Sequence, residues 1–133
     1  MKVALLFSLL CCTALGVQPA CTVTPATPLL DIEICWADYY ARAYDVPLEF
    51  VQAVIDVESA WHPYVISTKG AVGLMQLTAA TAFTFGVTNR FRIEENIRGG
   101  VAYLAYLIRR FKGELRLVAA AYYAGEKRIK KLV

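Results

Sequence analysis

Between residues 93 and 111 apolar side chains recur at intervals of four, three, four and three: Ile97, Val101, Leu104, Ile108 and Phe111. This spacing puts all five on one face of a helix about five turns long, and a stripe of that length must be covered by other elements. Gly99 and Gly100 lie within the run and let a second backbone approach closely, while Gly113 marks its end. No stretch of comparable length alternates with the period of two that a half-buried strand requires. The chain is therefore expected to be mainly α, with helices packed at short distance around a cleft.

The rest of the sequence supports that expectation in shorter segments. Asp31 is placed to cap a helix whose apolar residues Ile32, Cys35, Trp36, Tyr39 and Ala43 have helical spacing, ending near Tyr44. Pro47 suits the first turn of a second helix, which carries Leu48, Val51, Val54, Ile55 and Glu58 before Pro63 stops it. Gly70 to Leu77 is uncharged and contains two glycines, as expected of a close-packed turn. Thr78 caps a short helix through Phe85, and a last helix covers Leu115 to Ala124. This makes about five helices, with no internal repeat and no second domain.

At 133 residues the chain has room for one domain with its own core. Met1 to Leu15 reads as an export signal: Lys2 is the positive start, and the largely apolar stretch of 13 residues that follows is too short for the ~20 that span a bilayer. Cleavage after Gly16 uses the small pair Ala14 and Gly16; cleavage after Ala20 would leave Cys21 first, as in a lipoprotein, which Gln18 and Pro19 fit poorly. The expected organisation is a signal over 1–16 (cut alternatively at 20), a Pro/Thr-rich linker over 17–30 and one domain over 31–133, with a periplasmic or secreted location. No transmembrane anchor is expected once the signal is gone.

Losing Lys2 leaves 13 basic against 11 acidic residues, an excess too small to argue for nucleic-acid binding. The basic tail Lys127, Arg128, Lys130 and Lys131 reads as a solvated helix end. Cys11 and Cys12 fall in the signal, so Cys21 and Cys35 are the mature thiols; a bridge between them and two free buried cysteines are both open at this level. His62 is the only histidine, and no Cys or acidic cluster has ligand spacing, so neither metal nor cofactor is expected.

Glu58 is the exception to the apolar pattern. Val51, Val54 and Ile55 precede it by seven, four and three residues, so the carboxylate shares the inward face. Withdrawal from water raises a carboxyl pKa and keeps the proton that a general acid must donate. Asp56 points about 200 degrees away around the helix and cannot act as its pair. Glu94, Glu95 and Glu114 sit at helix starts, where the helix dipole favours acids.

Four segments in order, Glu58-Ser59, Gly70 to Gln76, Asn96 with Gly100 and Tyr103-Leu104, and Ala120 to Gly125, resemble the soluble lytic transglycosylase domain, a lysozyme-like family that cleaves peptidoglycan. The resemblance covers roughly Ile34 to Gly125. It implies a lysozyme-like domain around a glycan-binding groove and cleavage of the MurNAc-GlcNAc β-1,4 bond with a 1,6-anhydro product. It also implies one acid, Glu58, with Ser59, Met75, Gln76, Asn96, Tyr122 and Tyr123 at the substrate. Peptidoglycan strands are the implied partner, and envelope-spanning machinery a further one.

Two departures stand out. Tyr123 occupies a position where the family usually has asparagine, and family members commonly continue for one or two more helices, so the domain is expected to be short at its C-terminal end. Lysozyme-type hydrolysis and a non-catalytic wall-binding module remain the alternatives at this level.

Overall fold

The computed structural model describes residues 21–133. The expected export signal over 1–16 and both its cleavage points lie outside them. Among the described residues there are six helices, α1 (Leu29–Ala43), α2 (Leu48–Ser59), α3 (Ala79–Thr84), α4 (Ile93–Arg110), α5 (Leu115–Ala124) and α6 (Glu126–Lys130), and no extended strand. None is long and apolar enough to cross a membrane.

α4 is the central element. Its stripe is buried at Ile97, Val101, Leu104, Leu107 and Phe111, and α1, α3 and α5 pack against it. The paired glycines allow the close approach expected of them, since a Cβ on Gly100 would run into the Met75 thioether and one on Gly99 into Val87. Met75 and Leu77 can therefore sit directly on the α4 backbone, fully buried with Leu74, Ile55 and Ile97.

α1 departs from the sequence expectation in two ways. It begins at Leu29, directly after Pro28, and Asp31 lies within the first turn without capping it; the ring of Pro28 already fixes the entry angle. Its buried stripe is Glu33, Ala37 and Ala41, whereas Cys35, Tyr39 and Ala43 are exposed. The smaller side chains face inward because α1 packs closely on both α4 and α2. Cys21 and Cys35 form a disulfide with Cα atoms 5.9 Å apart, tying the segment before α1 to its outer face.

α2 stops earlier than Pro63 requires. Ala60 (φ 48) and Trp61 (φ 62) are both left-handed, a conformation costing roughly 1–2 kcal/mol for each non-glycine residue. The Ala60 N–H closes on the Asp56 carbonyl at 2.9 Å. Glu58 and Ser59 thus occupy the last turn, where the chain reverses.

The segment from Ile66 to Leu77 is a tight double turn with isolated bridges Ile66–Val72 and Val72–Leu77. Asn96 fastens it to α4: its Oδ1 accepts from Met75 N at 2.8 Å, and its Nδ2 donates to Val72 O at 2.9 Å and Arg90 O at 2.7 Å. Gly73 (φ +80) is required here, since a Cβ would collide with the Asn96 amide. Thr78 caps α3 as expected, accepting from Thr81 N at 3.2 Å.

Candidate active site

The inward face of α2 delivers Glu58 to the wall of a cavity of about 230 Å³ between α2 and α5. Phe50, Ala53, Val54 and Val57 line this cavity with Glu58 from α2, and Ala119, Tyr122 and Tyr123 from α5. Glu58 is partly buried and makes no ion pair among the described residues. The surrounding apolar groups raise its pKa above the ordinary 4.5 by desolvation alone. A carboxyl raised in this way, beside an open cavity, can deliver a proton to a bound acceptor.

Tyr122 lines the same cavity, and its hydroxyl donates to the Met75 carbonyl at 2.7 Å. Burial, and next the negative charge of Glu58, push its pKa up, so the ring keeps its proton and remains a donor. Tyr103 packs against it with ring centroids 5.2 Å apart, and Phe85 lies 5.5 Å beyond Tyr103.

Beyond Tyr122 the groove continues. A second cavity of about 310 Å³ shares Tyr122 and Tyr123 with the first and adds Gln76, Thr78, Thr81 and Tyr103. A third, of about 370 Å³, shares Thr81 and Tyr103 with the second and reaches Tyr106 and Glu126. Adjoining through these shared residues, the three cavities form a channel that is almost wholly apolar at Glu58 and most polar in the second cavity.

The residues expected at the substrate separate into two groups. Glu58, Gln76, Tyr122 and Tyr123 line the channel, with Tyr123 85% exposed between the first two cavities. Gln76 spends its amide N–H groups on Val65 O at 3.2 Å and Gly73 O at 3.0 Å, leaving its carbonyl oxygen as the group it offers. Ser59 is buried and donates to Ile55 O at 3.2 Å, closing its own helix. The Met75 thioether and the Asn96 amide are enclosed in the core, away from the channel; the Met75 carbonyl meets the Tyr122 hydroxyl, and Gln76 and Leu77 of the turn that Asn96 holds line the second cavity.

Sequence reasoning missed two carboxylates. Glu126 faces the third cavity, held by Tyr106 Oη at 2.8 Å and Arg110 Nε at 2.7 Å; the hydrogen bond from Arg110 keeps it ionised. Glu33 is 1% exposed, and its Oε1 has no partner; burial raises its pKa to about 7. Only the position of Glu33, four residues before Ala37 on an alanine stripe, carried a signal of burial.

A family model described as the transglycosylase SLT domain matches residues 36–133. The chain belongs to the SLT domain family. Among relatives of this SLT domain, a membrane-bound lytic murein transglycosylase F from Pseudoalteromonas translucida is 41% identical over 96 residues, 68% of this chain and 20% of that protein. Lytic transglycosylase Slt from Pseudomonas aeruginosa superposes with a TM-score of 0.65 at 30% identity, over 76% of this chain and 19% of that one. The 70 kDa soluble lytic transglycosylase of Escherichia coli gives 0.65 at 29% identity, over 77% and 20%. This chain thus spans about a fifth of the length of these relatives, and it shares the lysozyme-like, mainly helical fold of the two solved structures.

Proposed function

We propose that this protein is a peptidoglycan lytic transglycosylase in which Glu58 is both acid and base. The observation that carries the reading is the Glu58 carboxyl: without an ion pair among the described residues, partly withdrawn from water and open to a channel it shares with Tyr122. Protonated Glu58 donates to the glycosidic oxygen between MurNAc and GlcNAc, and the C1–O bond breaks through an oxocarbenium-like state. The carboxylate then takes the proton of the C6 hydroxyl as O6 bonds to C1. One bond is lost and one formed, no water is consumed, and the product carries a 1,6-anhydro ring.

The other channel residues bind and orient. Tyr122, anchored to Met75 O, fixes the wall opposite the acid, and Gln76 offers its carbonyl oxygen to an acetamido N–H. Ser59 acts through the helix end it closes, and Asn96 and Met75 through the turn they hold. Murein names in the relatives and the apolar N-terminal signal support a periplasmic or secreted site of action, where local cuts in the wall would serve envelope-spanning machinery.

The test is digestion of purified sacculi. Glu58→Gln is expected to abolish clearing while preserving the helical circular-dichroism spectrum, and unaltered clearing would refute the assignment. Mass spectrometry of the products distinguishes the proposed reaction from hydrolysis, since an anhydro end is lighter than a reducing end by one water.

A further inference from the structure

Three large apolar side chains among the described residues stand 80% exposed or more: Val57, Phe83 and Tyr123. Single exposed apolar groups are ordinary on a protein surface. Two of these three, however, line the Glu58 cavity, Val57 from α2 and Tyr123 from α5. The Tyr123 ring pairs with no other aromatic ring among the described residues, unlike Tyr103, Tyr106 and Tyr122 of the same channel.

The lining of that cavity limits how a sugar can be held in it. Its side chains offer three polar groups: the Glu58 carboxyl must stay free for proton transfer, the Tyr122 hydroxyl gives its proton to Met75 O at 2.7 Å, and the third is the Tyr123 hydroxyl. Hydrogen bonding therefore supplies little of the grip, and apolar contact must supply the rest. A β-1,4-linked pyranose of the gluco series carries its substituents equatorially, so its faces are C–H groups and its polar groups radiate from the rim. Such a face packs on an aromatic ring as another apolar group would. Ala53 and Ala119, small residues on the same cavity, leave room for it, and Tyr123 also lines the second cavity beside Gln76.

We propose that Val57 and Tyr123 form an apolar clamp on the glycan strand, Tyr123 stacking on the C–H face of the pyranose at Glu58 and Val57 closing on it from α2. This rests on the peptidoglycan reading of Glu58 and adds to it the source of binding at the acid. The clamp selects rings whose substituents are all equatorial, because an axial hydroxyl would interrupt the face laid on Tyr123. It also gives the departure at position 123 a role: where the family usually has an asparagine amide, this chain has a ring for contact.

Binding is measured on the full chain carrying Glu58→Gln, so that strands are held without turnover, using fluorescently labelled glycan strands freed of peptide by an amidase. Adding Tyr123→Asn is expected to weaken binding about tenfold and adding Val57→Ser about threefold, with the circular-dichroism spectrum unchanged. Tyr123→Phe should bind like the parent, since the ring and not the hydroxyl makes the contact. Both losses should be equal at low and high salt, because the contact is uncharged. In the chain that keeps Glu58, Tyr123→Asn should raise KM on sacculi by a similar factor and hold kcat within about twofold, the pattern of binding lost equally from substrate and transition state. Undiminished binding by Tyr123→Asn, an equal loss in Tyr123→Phe, or an effect that disappears at high salt overturns the clamp and leaves the function standing. Failure of the parent to hold the strands at all overturns the peptidoglycan reading itself, and the clamp with it.

Discussion

The Tyr122 hydroxyl donates to the main-chain carbonyl of Met75 at 2.7 Å, joining α5 to the turn that crosses α4. Through that bond, the residue facing Glu58 across the first cavity is positioned by a segment whose own side chain is buried against Gly100. Tyr122→Phe removes the donor and leaves a carbonyl unpaired. A loss of about 1–2 kcal/mol of stability is expected, with a fall in turnover on sacculi larger than the change in strand binding. Equal loss in both would mean that the hydroxyl only supports substrate.

Glu58 must begin the reaction protonated. Since burial raises its pKa above 4.5, the protonated fraction persists to higher pH than for a free glutamate and declines as pH rises through the raised value. The pH profile of kcat/KM is expected to show a falling basic limb displaced upward from the ordinary glutamate range. Val57→Asp, which places a charge in the cavity wall, should lower kcat and move that limb further up, since a nearby negative charge raises the carboxyl pKa again. A limb that stays fixed in this variant would argue that another group titrates.

Two buried carboxylates have opposite effects on stability. Glu33 rises to about 7 in the fold: the folded state holds a proton that the unfolded chain releases above 4.5. Stability therefore falls as pH climbs from about 4.5 through about 7. Glu95 is lowered to about 2, chiefly by the Asn89 N–H and further by Thr88 and Arg92. Its contribution is complete above 4.5 and is lost as pH drops through about 2. At pH 8, Glu33→Gln should raise stability by roughly 1–3 kcal/mol, and Glu95→Gln should lower it by a similar amount. Denaturant titrations at pH 4 and pH 8 check both; a Glu33→Gln gain that persists at pH 4 would contradict a cost arising from ionisation.

Asn96 makes three hydrogen bonds from 1% exposure. Asn96→Ala leaves the Met75 N–H and the Arg90 carbonyl without partners and the Val72 carbonyl with the Leu77 N–H alone, and a loss of about 2–4 kcal/mol is expected. Asn96→Asp keeps the acceptor for Met75 N but replaces both donors and is expected to be nearly as damaging. Thermal unfolding of the two variants measures this, and a midpoint shift of less than a degree or two would show that the turn holds without them.

Much of the site was legible because helical periodicity is local. The face of α2 follows from Val51, Val54 and Ile55, so Glu58 could be placed inward without coordinates, and Gly99 and Gly100 announced a close crossing whose occupant turned out to be Met75 and Val87. α1 was harder: Trp36 and Tyr39 outweigh Ala37 and Ala41 in any hydrophobic count, yet the alanines face inward because the helices around α1 leave little room. The same competition hid Glu33, since a pattern of apolar residues says nothing of a carboxylate held among them.

The sequence by itself determined the helices, the turns between them and the inward direction of one carboxylate, since these depend on neighbours within a few residues along the chain. Tertiary structure alone decided that Asn96 and Met75 support the channel from behind and that the Tyr122 hydroxyl is tied to the Met75 carbonyl. Those relationships arise from side chains twenty or more residues apart competing for the same space and the same hydrogen-bonding groups, and no periodicity along the chain encodes which of them wins.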